Sequence, residues 1–258
     1  MKLGLTGQRV LITGGSRGIG LAAALEFAAE GCTLDLVSRN PDHLAAASEA
    51  IGQRWDVPVT THSLDLSSQK NIARLFETCR DTDILVNNAG AIPAGDLQQV
   101  GDQRWRDAWD LKVFGYVGLS RLFYQEMKDR GHGVIVNVIG LAGERPDTNY
   151  IAGSVGNSAL IAFTRALGSH SLDDGVRVVG INPGPVQTDR IVALLQARAQ
   201  REKGDSSRWA DYLEALPLGR AAKPEEVADL VVFLASERAS YLCGSVVTLD
   251  GGLGARSH

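Results

Sequence analysis

The segment RVLITGGSRGIG, Arg9 to Gly20, carries the clearest indication of the fold. It opens with a short, mostly apolar run, which is typical of a strand buried on both faces of a parallel sheet. The run ends at Thr13, a glycine-rich turn follows, and residues 18–30 carry small apolar side chains at helical spacing. A strand, such a turn and a helix, in this order, predict a phosphate-binding βα unit.

The rest of the chain repeats the alternation of short apolar strands and longer helical patterns. We predict strands at residues 9–13, 33–38, 59–64, 83–87, 134–139, 176–181 and 246–249. We predict helices at residues 18–30, 42–54, 103–130, 160–172 and 224–236, with one more between the third and fourth strands. This pattern favours an α/β fold: one domain over residues 1–258, with a doubly wound Rossmann-type parallel sheet of about seven strands and helices on both faces.

Residues 187–216 interrupt this alternation, because they are polar, charged and irregular. A connection of this length is often functional, so we predict a substrate lid here. Its arginines, Arg190 among them, are balanced by acidic residues, so the sequence supports no conclusion about an anionic substrate. Its apolar residues either cap an apolar substrate or belong to the core or to a subunit contact. They are Ile191, Leu194, Leu195, Trp209, Tyr212 and Leu213.

Composition and charge limit the classes of partner. The net charge of −4 at pH 7 disfavours binding to nucleic acid or to an anionic membrane. The three cysteines, Cys32, Cys79 and Cys243, have neither metal-ligand spacing nor a disulfide framework. The N-terminus lacks a signal-peptide pattern, and no apolar stretch has the length of a bilayer span. We therefore expect a cytoplasmic protein with no metal, no membrane and no nucleic-acid partner.

Six short segments, in a fixed order along the chain, match one known pattern. They are TGGSRGIG (13–20), DL (65–66), NNAG (87–90), PGPVQT (183–188), PEEVA (224–228) and DGG (250–252). In order, they resemble the TGxxxGIG turn, the adenine-side Asp, the NNAG motif, the nicotinamide-binding PGxVxT segment and the C-terminal signatures of the short-chain dehydrogenase/reductase family. The resemblance covers nearly the whole chain.

The resemblance implies an oxidoreductase that binds a nicotinamide dinucleotide and acts on a small-molecule substrate. It also implies a homo-oligomer, a tetramer or a dimer, built on the long helices after the fourth and fifth strands. The implied cofactor-binding residues are Gly14, Ser16, Arg17, Gly18, Ile19, Gly20, Ser38, Arg39, Asp65, Leu66, Asn87, Ala89, Gly90, Pro183, Gly184, Val186 and Thr188.

The end of the second strand indicates which cofactor is preferred. NAD binding usually uses an acidic residue there, which accepts a hydrogen bond from the ribose 2′-hydroxyl. Here the strand ends in Ser38 and Arg39, and Asp35 comes too early, inside the strand. Arg39 and Arg17 either pair with a 2′-phosphate or are solvated surface residues. We predict that NADP(H) is preferred over NAD(H).

The chain departs from the family at its catalytic residues, which are Asn, Ser, Tyr and Lys. In alignment, the Asn position falls on Lys112 and the Ser position on Gly140. The family's Tyr-x-x-x-Lys pair has two possible matches. Tyr150 matches the tyrosine but is followed by Ser154, whereas an alignment without gaps puts the pair on Gly153 and Asn157.

One helix face offers a replacement for this set. If the helix begins near Tyr150, then Tyr150, Ser154 and Asn157 lie on the same face. Tyr150 is then the predicted proton-transfer residue, which Ser154 or Asn157 positions. Neither of these two carries a charge, so Lys112 is the predicted activating cation. The alternative is that Lys112 extends into solvent or pairs with Asp110.

Three functions remain open on this sequence. The first is an NADP(H)-preferring oxidoreductase that interconverts a carbonyl and an alcohol with a remodelled active site. The second is a cofactor-binding sensor or scaffold without hydride transfer, which the missing catalytic residues favour. The third is a lyase, dehalogenase or isomerase on the same fold, which the intact glycine-rich turn disfavours.

Overall fold

The computed structural model describes residues 2–256, in which seven strands form one parallel sheet. The strands are β1 (Arg9–Thr13), β2 (Thr33–Ser38), β3 (Val59–Ser63), β4 (Ile84–Asn87), β5 (Gly133–Val138), β6 (Val176–Pro183) and β7 (Val246–Leu249). Their order across the sheet is β3-β2-β1-β4-β5-β6-β7. The chain runs outward from β1 to β3, then returns to β4 on the other side of β1. This reversal opens a crevice at the carboxyl ends of the central strands, where such folds bind ligands.

The described chain has eight α-helices, and six of them pack on the two faces of the sheet. They are α1 (Gly18–Ala29), α2 (Pro41–Gly52), α3 (Gln69–Thr78), α4 (Asp102–Trp109), α5 (Gly115–Arg130), α6 (Ile151–Gly168), α7 (Asp189–Lys203) and α8 (Pro224–Ala235). Apolar side chains of α1, α2 and α8 pack on one face. Those of α3 and α5 pack on the other, where α6 adds a smaller cluster. The predicted doubly wound fold is confirmed.

The predicted strands and most predicted helices agree with the structure to within two residues at either end. The long helix predicted at 103–130 is helical throughout, but residues Asp110–Phe114 form a π-helical turn between α4 and α5. A π-turn inserts an extra residue into the helix and often marks a functional site. This one contains Lys112.

Two predicted segments differ from the structure. The helix predicted at 160–172 begins earlier, at Ile151, although its first half is rich in glycine. Packing explains the difference, because a Cβ at Gly156 would lie 3.1 Å from the Trp109 indole nitrogen, so a small residue lets α6 approach α4. The segment 187–216 is not irregular: it contains the 15-residue helix α7 and a 3-10 turn, Ser206–Tyr212.

None of the helices within residues 2–256 combines the length and the apolar character that crossing a membrane requires.

Candidate active site

Backbone geometry shapes a cradle between β1 and α1. Gly14 (φ +67°) and Gly18 (φ +54°) adopt left-handed conformations that favour glycine. A Cβ at Gly20 would lie 2.2 Å from the Gly14 carbonyl oxygen, so only glycine lets α1 start this close to the turn. No side chain caps α1, and its first turn has no acidic residue. Its free N–H groups and partial positive charge therefore face outward and suit an anion.

The loop after β4 holds this cradle in place. The Asn88 side-chain nitrogen donates to the carbonyl oxygens of Thr13 (3.0 Å) and Gly14 (3.3 Å). The Thr13 hydroxyl in turn accepts from the backbone N–H groups of Asn88 (2.9 Å) and Ala89 (3.0 Å). The NNAG segment thus fixes the glycine-rich turn, which explains why the two motifs occur together.

A cavity of about 1160 Å³ opens beside the cradle, at the carboxyl ends of the central strands. We call it the main cavity. More than half of the predicted cofactor residues line it, drawn from the turn after β1, the loop after β4 and the segment after β6. They are Gly14, Arg17, Gly18, Ile19, Ala89, Gly90, Pro183, Gly184, Val186 and Thr188.

A smaller cavity of about 580 Å³ lies toward β2 and β3, and Arg39 and Asp65 line it. The backbone N–H and the hydroxyl of Ser67 donate to the Asp65 carboxylate at 3.0 and 2.8 Å. These bonds, with the positive charge of Arg39, hold the pKa of Asp65 below its ordinary value despite partial burial. Asp65 is therefore an ionised acceptor at neutral pH, at the end of the crevice that the resemblance assigns to adenine.

Five predicted cofactor residues line neither cavity. They are Ser16, Gly20, Ser38, Leu66 and Asn87. Leu66 is 3% exposed and belongs to the core under α3 and α5. The buried Asn87 side chain donates to the side-chain oxygens of Asn137 (2.9 Å) and Ser120 (3.2 Å). Both side chains support the sheet edge beneath the crevice and contact neither cavity.

Asp35 lies inside the sheet, as predicted, and is 1% exposed. Its carboxylate oxygens accept from Arg9 Nε and contact His62 Nε2, each at 2.7 Å. Burial alone would raise the pKa of Asp35, but these two partners outweigh it and lower the pKa. Cys79 completes a group whose ligand atoms lie within 4.8 Å of one another, a feature that cysteine spacing did not reveal. The Arg9 charge already neutralises Asp35, so the group resembles a structural cluster more than a cation site.

Lys112 points into the main cavity from the π-turn. Its ammonium donates to the Ile139 carbonyl oxygen at 2.6 Å, and no carboxylate in residues 2–256 pairs with it. A Cβ at Gly90 would lie 2.8 Å from Lys112 Cδ, so the glycine leaves room for the lysine stem. Burial and the nearby Arg190 charge lower the pKa of Lys112 to about 7. The lysine therefore neither extends into solvent nor pairs with Asp110.

Tyr150 stands at the start of α6 and also lines the main cavity. A Cβ built on Gly153 would lie 2.0 Å from Cε1 of the Tyr150 ring, so this ring fills the space that a side chain at position 153 would take. Its hydroxyl oxygen accepts a hydrogen bond from Arg190 Nη2 at 2.8 Å. One of the two family alignments puts the tyrosine at position 153, and the ring from position 150 occupies that place.

Gly140 is the residue that we align with the family's serine, and Asn157 is aligned with its lysine in one of the two possible alignments. A Cβ at Gly140 (φ +138°) would lie 2.9 Å from Asn157 Nδ2, so the asparagine amide takes up the space next to the glycine. Asn157 is 3% exposed and lines the main cavity. Its Oδ1 makes no hydrogen bond to any residue in 2–256. An unsatisfied acceptor in a buried amide is unusual and suits a donor group on a ligand.

Ser154 is placed differently from the prediction. Its hydroxyl accepts from the Asp147 N–H at 2.9 Å and lies 3.2 Å from the Tyr150 carbonyl oxygen. It does not line the main cavity. The residues of the predicted helix face therefore have different places. Asn157 reaches the cavity, whereas Ser154 closes the turn that precedes α6 and positions Tyr150 through its backbone.

Arg190 is the main residue that sequence reasoning missed, because it counted among arginines balanced by acids. The guanidinium donates from Nη2 to Tyr150 and to the Ile92 carbonyl oxygen, both at 2.8 Å, and lines both cavities. Its position two residues after Thr188, the end of the predicted nicotinamide segment, was a usable signal. Of the predicted lid residues, Ile191, Leu194, Leu195 and Tyr212 line the main cavity, and Trp209 and Leu213 do not.

Comparison with known proteins agrees with this architecture. A family model described as enoyl-(acyl carrier protein) reductase matches residues 14–254. A 3-oxoacyl-(acyl-carrier-protein) reductase of Aquifex aeolicus is 31% identical over 98% of this chain and 100% of its own length. A galactitol 2-dehydrogenase (L-tagatose-forming) of Cereibacter sphaeroides is 32% identical over 96% of this chain and 95% of its own.

Solved structures give the same result. The L-sorbose reductase of Gluconobacter frateurii, complexed with NADPH and L-sorbose, superposes with a TM-score of 0.90 at 33% identity over 100% of both chains. The fold, the order of motifs and these full-length matches agree, and the chain therefore belongs to the short-chain dehydrogenase/reductase family of oxidoreductases.

Proposed function

We propose that this chain is a nicotinamide-dependent oxidoreductase that prefers NADP(H) and interconverts a carbonyl and an alcohol. Its matched relatives include reductases and a sugar-alcohol dehydrogenase, and one superposed structure carries NADPH. Support within this chain comes from a cradle that suits phosphate beside a cavity that holds the Tyr150 hydroxyl, Lys112 and Arg190.

The residues around the cradle fit such a cofactor. A side chain at Gly14 would approach Asn88 Nδ2 to 2.9 Å, and Gly18 and Gly90 likewise keep the crevice free of side chains. The first-turn N–H groups of α1 supply donors for a pyrophosphate. The segment 183–188 lines the main cavity, where the resemblance puts the nicotinamide amide. When bound, the cofactor supplies or accepts the hydride.

The preference for NADP(H) rests on the end of β2. Asp35 is buried against Arg9 and His62 and offers no acceptor to a ribose hydroxyl. Arg39 is exposed and lines the smaller cavity. Arg17 lies beside the cradle but contacts His43 and Asp189 (3.5 Å), so Arg39 is the better partner for a 2′-phosphate.

In this proposal, Tyr150 transfers the proton. In the reductive direction its hydroxyl gives a proton to the carbonyl oxygen as a hydride adds to the carbon, and in the oxidative direction it takes that proton back. The phenolate left behind is stabilised by Arg190, at 2.8 Å, and Lys112, which lines the same cavity, adds a second positive charge. Asn157 Oδ1 offers an acceptor for a substrate hydroxyl. This proposal replaces the family's lysine with cations from the π-turn and α7.

One observation carries the proposal: the Tyr150 ring fills the space beside Gly153, with a cation bonded to its hydroxyl. Fluorescence titration with NADPH and NADH tests cofactor binding. Absorbance of the reduced nicotinamide, followed with a panel of ketones, aldehydes and alcohols, tests turnover. We expect micromolar binding with NADPH tighter than NADH, and turnover of at least one carbonyl class. Absence of binding to both cofactors at millimolar concentration contradicts the proposal.

A cofactor-binding protein without hydride transfer is the second candidate. Gly140 favours it, because the Asn157 amide lies where a substrate-binding serine hydroxyl would be expected. Tight NADPH binding with no turnover over the whole panel selects this candidate over the first.

We also propose that the chain forms a homo-oligomer through α5 and α6. Phe114, the last residue of the π-turn before α5, is 50% exposed, and Val155, on α6, is 46% exposed. The family uses these two helices for assembly. Large apolar side chains that are half exposed there suit a subunit contact. Light scattering after size-exclusion chromatography tests this: a dimer or tetramer is expected, which Phe114→Glu weakens.

A further inference from the structure

Lys112 and Arg190 are positive charges in the main cavity that lack a carboxylate partner among residues 2–256. The other cavity arginines are engaged. Arg17 pairs with Asp189 (3.5 Å), and Arg198 and Arg201 pair with Glu202 (3.0 and 3.8 Å). A sixth cation, Arg145, donates to the Leu253 carbonyl oxygen and has further contacts.

The acids that line the same cavity do not balance this pair. Asp189 is taken by Arg17, and Asp147 accepts the Asn149 N–H at 2.8 Å in the turn before α6. Neither bonds to Lys112 or Arg190. Two cations in one cavity without counter-charge repel each other. Burial is the main cause of the lowered pKa of Lys112, and the Arg190 charge lowers this pKa further. A negative charge entering between them removes that repulsion.

The Arg190 guanidinium is held in place, but not all of its hydrogen-bond donors are used. Nη2 makes its two bonds, to Tyr150 and to the Ile92 carbonyl oxygen, and the guanidinium lies 5.9 Å from the centre of the Tyr150 ring. Within the described chain, Nε and Nη1 donate to no protein atom. A guanidinium held by neutral groups, with Nε and Nη1 still free to donate, is suited to a charge-assisted hydrogen bond to a carboxylate.

The distance between Arg190 and Tyr150 limits the size of the substrate. The proton donor, Tyr150 Oη, lies 2.8 Å from Nη2. A carbonyl oxygen bonded to the hydroxyl and a carboxylate bonded to the guanidinium must therefore be close neighbours in one molecule. This holds when the carboxylate is attached at the carbonyl carbon or one carbon further.

We propose that the substrate is a short oxo acid, or the corresponding hydroxy acid, whose carboxylate binds Arg190 while its carbonyl oxygen meets Tyr150. This deepens the proposed function and rests on it. In reduction, the carbonyl π bond breaks, carbon gains the hydride from the reduced cofactor, and oxygen gains the Tyr150 proton. The carboxylate is unchanged and serves only to bind and orient. Neutral ketones, sugars and acyl thioesters lack this anchor.

The test measures binding separately from turnover. Calorimetry on the protein saturated with NADP⁺, which cannot reduce an oxo acid, compares 2-oxobutanoate and 3-oxobutanoate with their methyl esters. We expect the better acid to bind at least about 10-fold more tightly than its ester, since charge-assisted bonds contribute about 1.5–3 kcal/mol. Equal binding of acid and ester overturns the proposal. If NADP⁺ does not bind, the same titrations are run on the protein alone. The comparison of acid and ester then still tests the carboxylate site, even though the proposed function has failed.

Arg190→Gln identifies the anchor, and Arg198→Gln is the matched control, because Arg198 lines the same cavity from the same helix but is paired with Glu202. We expect Arg190→Gln to abolish the preference for the acid while NADPH affinity changes less than about threefold, and Arg198→Gln to keep the preference. Circular dichroism confirms folding of both variants. Loss of NADPH affinity in Arg190→Gln with the acid preference intact assigns Arg190 to a cofactor phosphate and overturns the proposal.

Discussion

The two halves of the crevice are built by different means. The cradle between β1 and α1 is made of backbone: left-handed glycines, free N–H groups and carbonyl oxygens held by Asn88. The proposed catalytic half is made of side chains from three separate elements, with Lys112 on the π-turn, Tyr150 before α6 and Arg190 on α7.

This contrast explains why the cradle keeps the family motif, whereas the proposed catalytic residues can stand at other positions. A backbone cradle tolerates few substitutions, since a Cβ at Gly20 would lie 2.2 Å from the Gly14 carbonyl oxygen. A site made of side chains requires only that each functional group occupies the right position, and different residues can supply that group. In the mechanism proposed here, the Tyr150 hydroxyl and two cations reach that place from positions other than those of the family motif.

The largest effect is expected from Tyr150→Phe. If this hydroxyl transfers the proton, turnover falls by about 10²–10⁴-fold, the usual contribution of general acid–base catalysis. NADPH affinity stays within about threefold, because the ring remains beside Gly153. Stopped-flow absorbance of the reduced nicotinamide measures the loss. Tyr212→Phe is the control, since Tyr212 also lines the main cavity but bonds to Glu202 at 2.8 Å. Full turnover in Tyr150→Phe would remove the tyrosine from the mechanism.

Gly20→Ala tests the backbone half. The added Cβ forces α1 away from the turn, and strain of this kind costs about 1–3 kcal/mol in stability. Because the cradle moves with α1, NADPH affinity falls by about 10- to 100-fold. Thermal unfolding with and without NADPH reports both effects. Gly52→Ala is the matched control, because a Cβ there meets nothing within 4 Å. Equal behaviour of the two variants would show that the close approach at Gly20 is unimportant.

Lys112→Met tests the catalytic half through pH. Burial and Arg190 lower the pKa of Lys112 to about 7. As pH rises through that value, Lys112 loses its charge and no longer stabilises the Tyr150 phenolate. We expect reduction by the unmodified chain to slow about 10-fold across this range. The variant loses this step in the pH–rate profile. Lys128→Met, which removes a surface lysine paired with Asp174 (2.9 Å), leaves the step in place.

The same lysine predicts a stability change with a definite sign. An unfolded lysine titrates near pH 10.4, so between about pH 7 and 10.4 the unfolded chain binds more protons at this position than the folded chain. Stability contributed by this position therefore rises with pH over that window. Denaturant unfolding at pH 7 and pH 9.5 measures it. The gain on going to pH 9.5 is expected to be smaller in Lys112→Met, and an equal gain would contradict the buried placement of the ammonium.

The sequence predicted the parts of this molecule that local pattern encodes. The apolar runs at β1 and β6 allow only buried strands, and the glycines at 14, 18 and 20 require a tight turn. Long-range packing decided the rest. The early start of α6 depends on contact with Trp109. Arg190 has no acidic partner because Asp189 pairs with Arg17 and Glu202 pairs with Arg198. Counting charges along a segment does not reveal such pairing.

Arg39→Gln is expected to give the smallest effect, and it tests whether the cradle half is wholly a backbone site. Arg39 is exposed, so its pairing with a 2′-phosphate is screened and contributes about 1 kcal/mol, or about fivefold in the NADPH-to-NADH affinity ratio. Fluorescence titration at low and high salt measures it, since screening shrinks the preference of the unmodified chain but not that of the variant. Arg74→Gln, an exposed arginine on α3, is the control. A preference unchanged in Arg39→Gln would exclude Arg39 and leave Arg17 or backbone donors to select the cofactor, because Asp35 is buried and has no part in that choice.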